Sequence, residues 1–249
     1  MTNEPPYSKS GGKPGGAVAT REGLRQDTHH PLRQYEHRFH AGQTLVLQGD
    51  ACGAVLHVLD GWLAVFKSLE DGQRQIIDFA LPGEMIEPAA ADETSSSVTI
   101  EALTEGSVAI VPWSEWERIC CDRPDLQHRT HRLRAAAEAR QAERMLRLGK
   151  GSAEMRIAYA LLELALRSEP AQGRDAGAFH IPLTQQRLGD YLGLSSVHVC
   201  RTLRRLARKG IAETTDHMNI RLLDRDALAA LADVDCAALR QEIIPSPAS

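Results

Sequence analysis

Apolar and polar positions alternate in short runs over the first half of the chain. Between about Phe39 and Pro112, apolar segments are separated by glycine-containing turns at intervals of about ten residues. This spacing is typical of antiparallel strands joined by tight turns. The pattern predicts an antiparallel β-roll of the jelly-roll type, which we assign to residues 32–121. The turn glycines are Gly42, Gly49, Gly61, Gly72, Gly83 and Gly106.

The pattern changes to helical spacing after Pro112. Ala, Leu, Arg and Glu dominate from Asp125 to Leu148, which predicts a long helix, assigned to residues 122–150. Its small apolar residues advance by four, three and four positions and form one narrow stripe that a second helix could approach closely. The pattern favours pairing with a second copy of the chain over packing on the chain's own barrel. The stripe consists of Ala135, Ala139, Ala142 and Leu146.

The C-terminal segment predicts two short helices joined by a sharp turn. Thr184 is placed to cap the first helix, Gly193 can supply the positive φ of the turn, and Ser195 can cap the second helix. Residues 211–223 then predict a two-stranded wing. We assign a winged helix-turn-helix domain to residues 151–235, so that the whole chain is an α+β protein.

The two ends of the chain carry different signals. Residues 1–31 are rich in proline and glycine and predict a disordered arm, and residues 236–249 are assigned as a tail. No stretch approaches the roughly 18 consecutive apolar residues of a membrane span, and the N-terminus lacks the apolar core of a secretory signal. We therefore expect a cytoplasmic protein. The five cysteines form no CxxC pair, so reduced thiols are expected rather than disulfides or a zinc site.

The net charge of −4 is distributed unevenly along the 249 residues. The segment from Leu183 to Arg225 holds eight basic and four acidic residues, so the rest of the chain carries −8. All five charges between Ser195 and Gly210 are positive, as a helix lying against phosphates requires. A solvated basic face is the alternative, but it does not account for the capped pair of helices. The pattern favours binding to double-stranded DNA.

These motifs resemble the Crp/Fnr family of bacterial transcription regulators over about residues 35–232. FHAGQTLVLQGD and DGWLAVFKSLEDGQRQIIDFALPGE are similar to the family's β-roll, and LSSVHVCRTLRRL resembles a branch whose recognition helix reads V-H-V-N-R-T-L. The resemblance implies a cyclic-nucleotide-binding-like roll, a homodimer paired through the long helix, and an inverted-repeat operator. For an activator it also implies contact with RNA polymerase.

The resemblance also implies which side chains meet DNA. Arg201 matches an arginine that reads a guanine, a bidentate contact that the geometry of the major groove favours. Val197 replaces the glutamate of typical members, so their target sequences are not transferred to this chain. The other implied contacts, in the groove or along the backbone, are Thr184, Gln185, Ser195, Ser196, Val197, His198, Cys200, Arg204 and Arg205.

The roll gives a weaker signal about an effector. Members that bind cyclic AMP hold its phosphate with an arginine that follows a Gly-Glu pair. This chain keeps Gly83 and Glu84, but serine stands where the arginine is expected, so cyclic AMP is disfavoured. Gly83, Glu84, Ser96 and Ser97 are the candidate effector-binding residues.

Cofactor binding gives equally few signals. Residues 1–51 contain no cysteine, which excludes the iron–sulfur cluster of the Fnr type. No other cofactor and no metal site is identified. Five histidines are available as haem ligands, although surface or packing roles are the more common use: His37, His40, His57, His128 and His131.

Cys200 is a candidate redox site in the second helix. It precedes Arg201, and Arg204 lies one turn further on, a basic setting that favours the thiolate. The hypothesis is that oxidation adds bulk or negative charge against DNA and switches binding off. The alternative is a small side chain tolerated in the groove.

An enzyme is the principal competing interpretation. The roll resembles the barrel of cupin-like metal-dependent enzymes, but the chain has no HxH pair, and His37 and His40 would lie on opposite faces of a strand. Motifs of serine hydrolases, phosphate-binding loops and dinucleotide folds are also missing. We expect no catalytic site. A ligand-binding module without DNA binding is the second alternative.

Overall fold

The computed structural model describes residues 32–89, 95–172, 178–215 and 219–245. The predicted arm of residues 1–31 lies outside this part of the chain. Within it, no helix combines the length and the apolar character that a membrane span requires.

Two four-stranded antiparallel sheets form the predicted β-roll. One sheet has the order β1-β8-β3-β6 and the other the order β2-β7-β4-β5. Val58, Leu63, Ile100 and Val108 are fully buried in the core of the roll. The strands are β1 (Glu36–Phe39), β2 (Thr44–Val46), β3 (Ala54–Asp60), β4 (Leu63–Ser68), β5 (Arg74–Ala80), β6 (Met85–Ile86), β7 (Thr99–Ala102) and β8 (Gly106–Pro112).

Tight turns join these strands where the glycines predict them. Gly61 shows why glycine is needed: its φ is +83°, and a Cβ atom there would lie 2.6 Å from the carbonyl oxygen of Glu105. Both the left-handed backbone and the close approach exclude a larger side chain.

Two helices follow the roll. Helix α1 (Trp113–Asp122) packs Trp116 and Ile119 into a small core beside β3 and β8. Helix α2 (Pro124–Lys150) begins with a proline, which is favourable because the backbone N–H groups of the first turn have no partner within the helix. The sequence assigned residues 113–121 to the roll, but the structure makes them helical.

The C-terminal part, residues 153–243, is called the reader here. It contains the predicted helix-turn-helix, and its wing has a third strand, with the sheet order β10-β11-β9. Its elements are α3 (Ala153–Gln172), β9 (Ala178–His180), α4 (Gln185–Leu192), α5 (Ser196–Arg208), β10 (Ala212–Thr215), β11 (Asn219–Leu222), α6 (Arg225–Ala232) and α7 (Cys236–Ile243).

Helix α7 corrects the prediction of a tail from residue 236 onward. Asp235 caps this helix by accepting a hydrogen bond from the backbone N–H of Ala238 at 2.7 Å. Leu239 and Ile243 are buried in the core that the reader shares with part of the roll. The segment is therefore a structural part of the reader.

Candidate nucleic-acid interface

Local capping contacts build the helix-turn-helix as the sequence predicts. The Thr184 hydroxyl accepts a hydrogen bond from the N–H of Arg187 at 3.1 Å, and the Ser195 hydroxyl accepts one from the N–H of His198 at 3.3 Å. Gly193 ends α4 in the left-handed region, with φ +61°. A Cβ atom on Gly189 would lie 2.4 Å from the carbonyl oxygen of Leu194, so α4 and the turn touch closely. These contacts fix the angle between α4 and α5.

Helix α5 has one buried face and one exposed basic face. Val199, Leu203 and Leu206 pack into the reader core, and each is at most 4% exposed. Four residues on the opposite side advance by four, three and four positions and therefore form one row along the helix. This exposed row consists of Val197, Arg201, Arg204 and Arg208.

The three arginines of the exposed row are free to bind a ligand. Within the described residues, the guanidinium groups of Arg201, Arg204 and Arg208 form no ion pair or hydrogen bond. A row of unpaired guanidinium groups on one helix is the arrangement that binding to phosphates and guanines requires.

Arg205 points elsewhere. Its guanidinium lies 3.5 Å from the carboxylate of Glu154 in α3, which also accepts a hydrogen bond from Lys209 at 2.7 Å. The hydrogen bond from Lys209 lowers the pKa of the Glu154 carboxyl and outweighs burial, which acts in the opposite direction. Arg208, rather than the predicted Arg205, lies in the exposed row. Its helical spacing from Arg201 and Arg204 could have identified it from the sequence.

The remaining predicted DNA contacts lie around the start of α4 and α5. Ser196 and Cys200 are half-buried, whereas Val197 is 55% exposed and His198 is exposed. The Nδ1 atom of His198 lies 3.1 Å from the Ser195 hydroxyl. Thr184 is exposed, and Gln185 is half-buried. Thr184 and Gln185 thus lie at the start of α4, and Ser195, Ser196, Val197 and His198 lie at the start of α5.

The predicted effector residues each have partners within the described part of the chain. Ser96 is buried, and its hydroxyl donates to the carbonyl oxygen of Val98 at 2.6 Å, while the Ser97 hydroxyl donates to that of Pro88 at 3.2 Å. Gly83 lies in the turn before β6 with φ +89°. Glu84 accepts hydrogen bonds from Arg167 of the reader at 2.6 and 3.0 Å. Among the described residues, no hydrogen bond joins Glu84 to either serine.

Glu84 belongs instead to a charge cluster at the centre of the molecule. The cluster contains three carboxylates and three guanidinium groups, contributed by the roll, by α2 and by the reader. We define it as Asp78, Glu84, Arg140, Arg144, Glu163 and Arg167.

Asp78 is the most connected carboxylate of the charge cluster. Arg144, Arg167 and Arg140 approach it at 2.9, 3.2 and 3.4 Å. Burial alone would raise the pKa of the Asp78 carboxyl, but these guanidinium groups hold that pKa far below its ordinary value. Tyr191 of α4 also joins, because its hydroxyl donates to Glu163 at 3.1 Å and accepts from Arg144. Asp78 therefore stays ionised at neutral pH.

The predicted stripe of α2 lies on the surface of the chain. Ala135 and Ala142 are exposed, Ala139 is half-buried, and Leu146 is 57% exposed. The opposite face of α2 turns arginines inward: Arg140, Arg144 and Arg147 are at most 6% exposed. The alternative that the stripe packs on the chain's own barrel is therefore wrong.

The candidate metal and haem ligands are scattered. His37, His40, His128 and His131 are exposed, and His57 is buried in β3. Across the described ranges, no three side chains of His, Cys, Asp or Glu are placed to hold one metal ion together.

The roll, the long helix and the exposed basic helix of a winged helix-turn-helix define a DNA-binding transcription regulator. Comparisons agree: a family model described as a Crp-like helix-turn-helix domain matches residues 155–231, and one described as a cyclic nucleotide-binding domain matches residues 36–122. The chain belongs to the Crp/Fnr family of transcription regulators.

Individual relatives are similar over most of their length. The chain is 32% identical over 191 residues to the transcriptional activator protein FnrA of Stutzerimonas stutzeri, which covers 77% of this chain and 78% of that protein. It is 32% identical over 207 residues to the nitrogen fixation regulation protein FixK of Bradyrhizobium diazoefficiens, covering 81% and 85%. The solved structure of FixK2 from Bradyrhizobium japonicum superposes with a TM-score of 0.69 at 28% identity, covering 79% of this chain and 96% of that one.

Proposed function

We propose that the chain acts as a homodimer that places α5 of each copy in the major groove of an inverted-repeat operator. The observation that carries this proposal is the row of three unpaired arginines on the exposed face of α5. A two-fold dimer places its two recognition helices about one helical turn apart on DNA, which requires an inverted repeat.

The assignment of individual contacts is part of the same proposal. Arg201 reads a guanine, and Ser196, Val197 and Cys200 face the neighbouring base edges, as in the branch whose recognition helix reads V-H-V-N-R-T-L. The phosphate backbone is contacted by residues around the helix starts and along the basic row. These are Thr184, Gln185, Ser195, His198, Arg204 and, in addition to the sequence prediction, Arg208, whereas the predicted contact Arg205 is paired with Glu154.

The exposed stripe of α2 supports the homodimer. A helix that buries arginines and exposes alanine and leucine has its apolar face available for another chain. The small alanine side chains allow two antiparallel or parallel helix backbones to approach closely. An activator would also contact RNA polymerase from this dimer.

Replacing Arg201 by alanine is expected to relax sequence selectivity. Loss of a bidentate contact to guanine should cost about 1–3 kcal/mol of binding free energy at one base pair of each half-site. The measurement is a competition titration with operators that carry each base at that position, after the operator has been selected from random DNA. Arg208→Ala is the matched control, since loss of a phosphate contact should weaken all sequences equally. Equal weakening by Arg201→Ala would contradict the assignment.

We also propose that oxidation of Cys200 weakens DNA binding. The thiol is half-buried on α5, between the buried face and the exposed row, so a sulfenic or sulfinic acid there would meet the DNA surface. The alternative is that Cys200 is only a small side chain accommodated in the DNA groove. It predicts that oxidation leaves DNA binding unchanged.

The redox proposal predicts that Cys200→Ser keeps operator binding after peroxide treatment, whereas the parent protein loses it. Electrophoretic mobility shifts before and after peroxide, with mass analysis of the thiol, provide the measurement. Cys121→Ser is the control, because Cys121 is also a free thiol but lies on α1, outside the reader. Equal loss of binding in the parent and in Cys200→Ser would exclude the mechanism.

We infer that the protein is a cytoplasmic regulator rather than an enzyme, and that it uses neither cyclic AMP nor an iron–sulfur cluster of the Fnr type. Two contacts support the absence of cyclic AMP binding. The hydroxyls of Ser96 and Ser97 already donate to backbone carbonyl oxygens, and Glu84 is already paired with Arg167.

The salt dependence of binding distinguishes a DNA-binding regulator from a module that contacts protein. Operator affinity should fall steeply as ionic strength rises.

A further inference from the structure

Helix α4 of the reader docks directly on the roll of the same chain. The side-chain amide of Gln75 in β5 donates hydrogen bonds to the carbonyl oxygens of Asp190 and Tyr191, at 2.5 and 3.1 Å. The rings of Phe79 and Tyr191 pack with their centroids 4.6 Å apart. Glu101 of β7 forms an ion pair with Arg187. Two strands of one sheet of the roll thus bind the helix that precedes the recognition helix.

The charge cluster lies beneath this docking contact. Its carboxylates Asp78 and Glu84 belong to the roll, whereas Glu163 belongs to α3 of the reader and is fully buried. Arg167 is 1% exposed at its side chain and bridges the two parts, since it pairs with carboxylates of both. The three positive and three negative charges balance within one buried region.

The buried arginines of helix α2 bind it to the region around the charge cluster. Arg140 donates to the carbonyl oxygen of Ile243 at 3.3 Å, at the end of α7. Arg147 donates to the carbonyl oxygen of Ala232 at 3.0 Å, at the end of α6, and its guanidinium lies 4.1 Å from the ring centroid of Tyr159. Cations at helix C-termini are favourable because the carbonyl oxygens there carry partial negative charge. The arginine face of α2 therefore binds the roll and the reader together.

The docking leaves the proposed DNA surface open. The contacts of α4 with the roll involve Arg187, Asp190 and Tyr191, while the row of α5 with Arg201, Arg204 and Arg208 remains exposed. Because α4 is joined rigidly to α5 through the close contact at Gly189, fixing α4 also fixes the direction of the recognition helix.

We propose that the charge cluster and the contact of α4 with the roll form an interdomain lock, which holds the recognition helix in one orientation relative to α2 before DNA binds. The roll, α2 and the reader belong to one compact unit of the chain, as such a lock requires.

Opening the lock would lose several contacts at once: the ion pairs of Arg167 with Asp78 and Glu84, the hydrogen bonds of Gln75 to α4, and the packing of Phe79 on Tyr191. Separating the reader from the roll would also expose the buried rings of Phe79 and Tyr191 to water, which is unfavourable. A recognition helix that is already held in its binding orientation should bind the operator more tightly than a mobile one, because DNA binding then loses less conformational entropy.

The rim of the docking contact offers a matched pair of variants for the test. Gln75→Ala removes the two hydrogen bonds to α4 without touching a buried charge. Gln73→Ala is its control, because Gln73 is also exposed and lies two residues earlier in the same hairpin. Among the described residues, its hydrogen bonds join it to Asp71 and Leu69 of that hairpin.

Hydrogen–deuterium exchange of the full chain without added ligand reports the opening. In Gln75→Ala the amides of α4 and β5 should exchange about three- to tenfold faster, as the loss of hydrogen bonds of ordinary strength implies. Those of β3 and β8 in the other sheet should be unchanged, and Gln73→Ala should behave as the parent. Unchanged exchange in α4 and β5 of Gln75→Ala would overturn the lock.

Asp78→Asn tests the charge cluster itself. This near-isosteric change removes the carboxylate shared by three guanidinium groups, and exchange in α4 and β5 should rise at least about a hundredfold. If the variant does not fold, the comparison of Gln75 with Gln73 still decides the question. Faster exchange spread evenly over the roll and the reader, rather than concentrated at α4 and β5, would contradict a lock at this contact.

A second arm measures DNA binding, and only this arm rests on the proposed function. Operator affinity of Gln75→Ala should fall about three- to tenfold while affinity for random DNA stays unchanged, because the arginine row is intact. Increased operator affinity would overturn the proposal, since it would mean that docking restrains the reader from binding. Absence of specific binding by the parent itself would contradict the proposed function but leave the exchange result standing as the test of the lock.

Discussion

Ala139→Glu in α2 is expected to convert the protein to a monomer and to reduce operator affinity by about 10²- to 10⁴-fold, the gain that joining two binding modules provides. Ala139 lies in the middle of the exposed stripe, where a two-fold axis would place the same residue of the second copy nearby. Two carboxylates facing each other in an apolar helix pair would be desolvated and mutually repelled. Sedimentation velocity and an operator titration are the measurements.

Gln141→Glu is the matched control for this substitution. It adds the same charge to the same helix at an exposed position on a different face. We expect this variant to stay dimeric with unchanged affinity. If Ala139→Glu also stays dimeric, the stripe does not form the interface, and the inverted-repeat operator loses its structural basis.

The sequence predicted the helix-turn-helix well because its signals are local. The caps at Thr184 and Ser195, the left-handed glycine at Gly193 and the spacing of Leu203 and Leu206 all act within one or two helical turns. The stripe of α2 was predicted for the same reason. The regular helical period places its four residues on one face without knowledge of the rest of the fold. That this face is exposed is a finding of the structure.

The charge cluster could not be predicted, because its partners are distant in sequence. Asp78 and Arg144 are 66 residues apart, and Arg167 and Glu84 are 83 apart. Arginine on a helix is usually exposed, so the inward positions of Arg140 and Arg144 could not be expected from the sequence of α2 alone. Glu84 was assigned to effector binding because the family resemblance places a Gly-Glu pair there, whereas in the structure it accepts hydrogen bonds from Arg167 of the reader. Helix α7 was missed because eight residues at the chain end show too short an apolar pattern.

Glu163→Ala is expected to destabilise the folded protein by about 3–5 kcal/mol, the usual cost of removing one partner from a buried ion pair. Glu163 is fully buried, and its carboxylate is the partner of Arg167 at 2.8 Å, of Arg144 at 3.3 Å and of the Tyr191 hydroxyl. The substitution leaves two buried guanidinium groups with one carboxylate fewer and opens a cavity among them.

Urea unfolding at neutral pH, followed by circular dichroism, measures this loss. Glu138→Ala is the control, because Glu138 is an exposed carboxylate on α2 and its removal should change the free energy of unfolding by no more than about 0.5 kcal/mol. Glu163→Gln should fall between the two, since an amide keeps the shape and some hydrogen bonds but not the charge. Equal stability of Glu163→Ala and Glu138→Ala would show that the buried arginines are satisfied without Glu163, so that the cluster would not hold the reader against the roll.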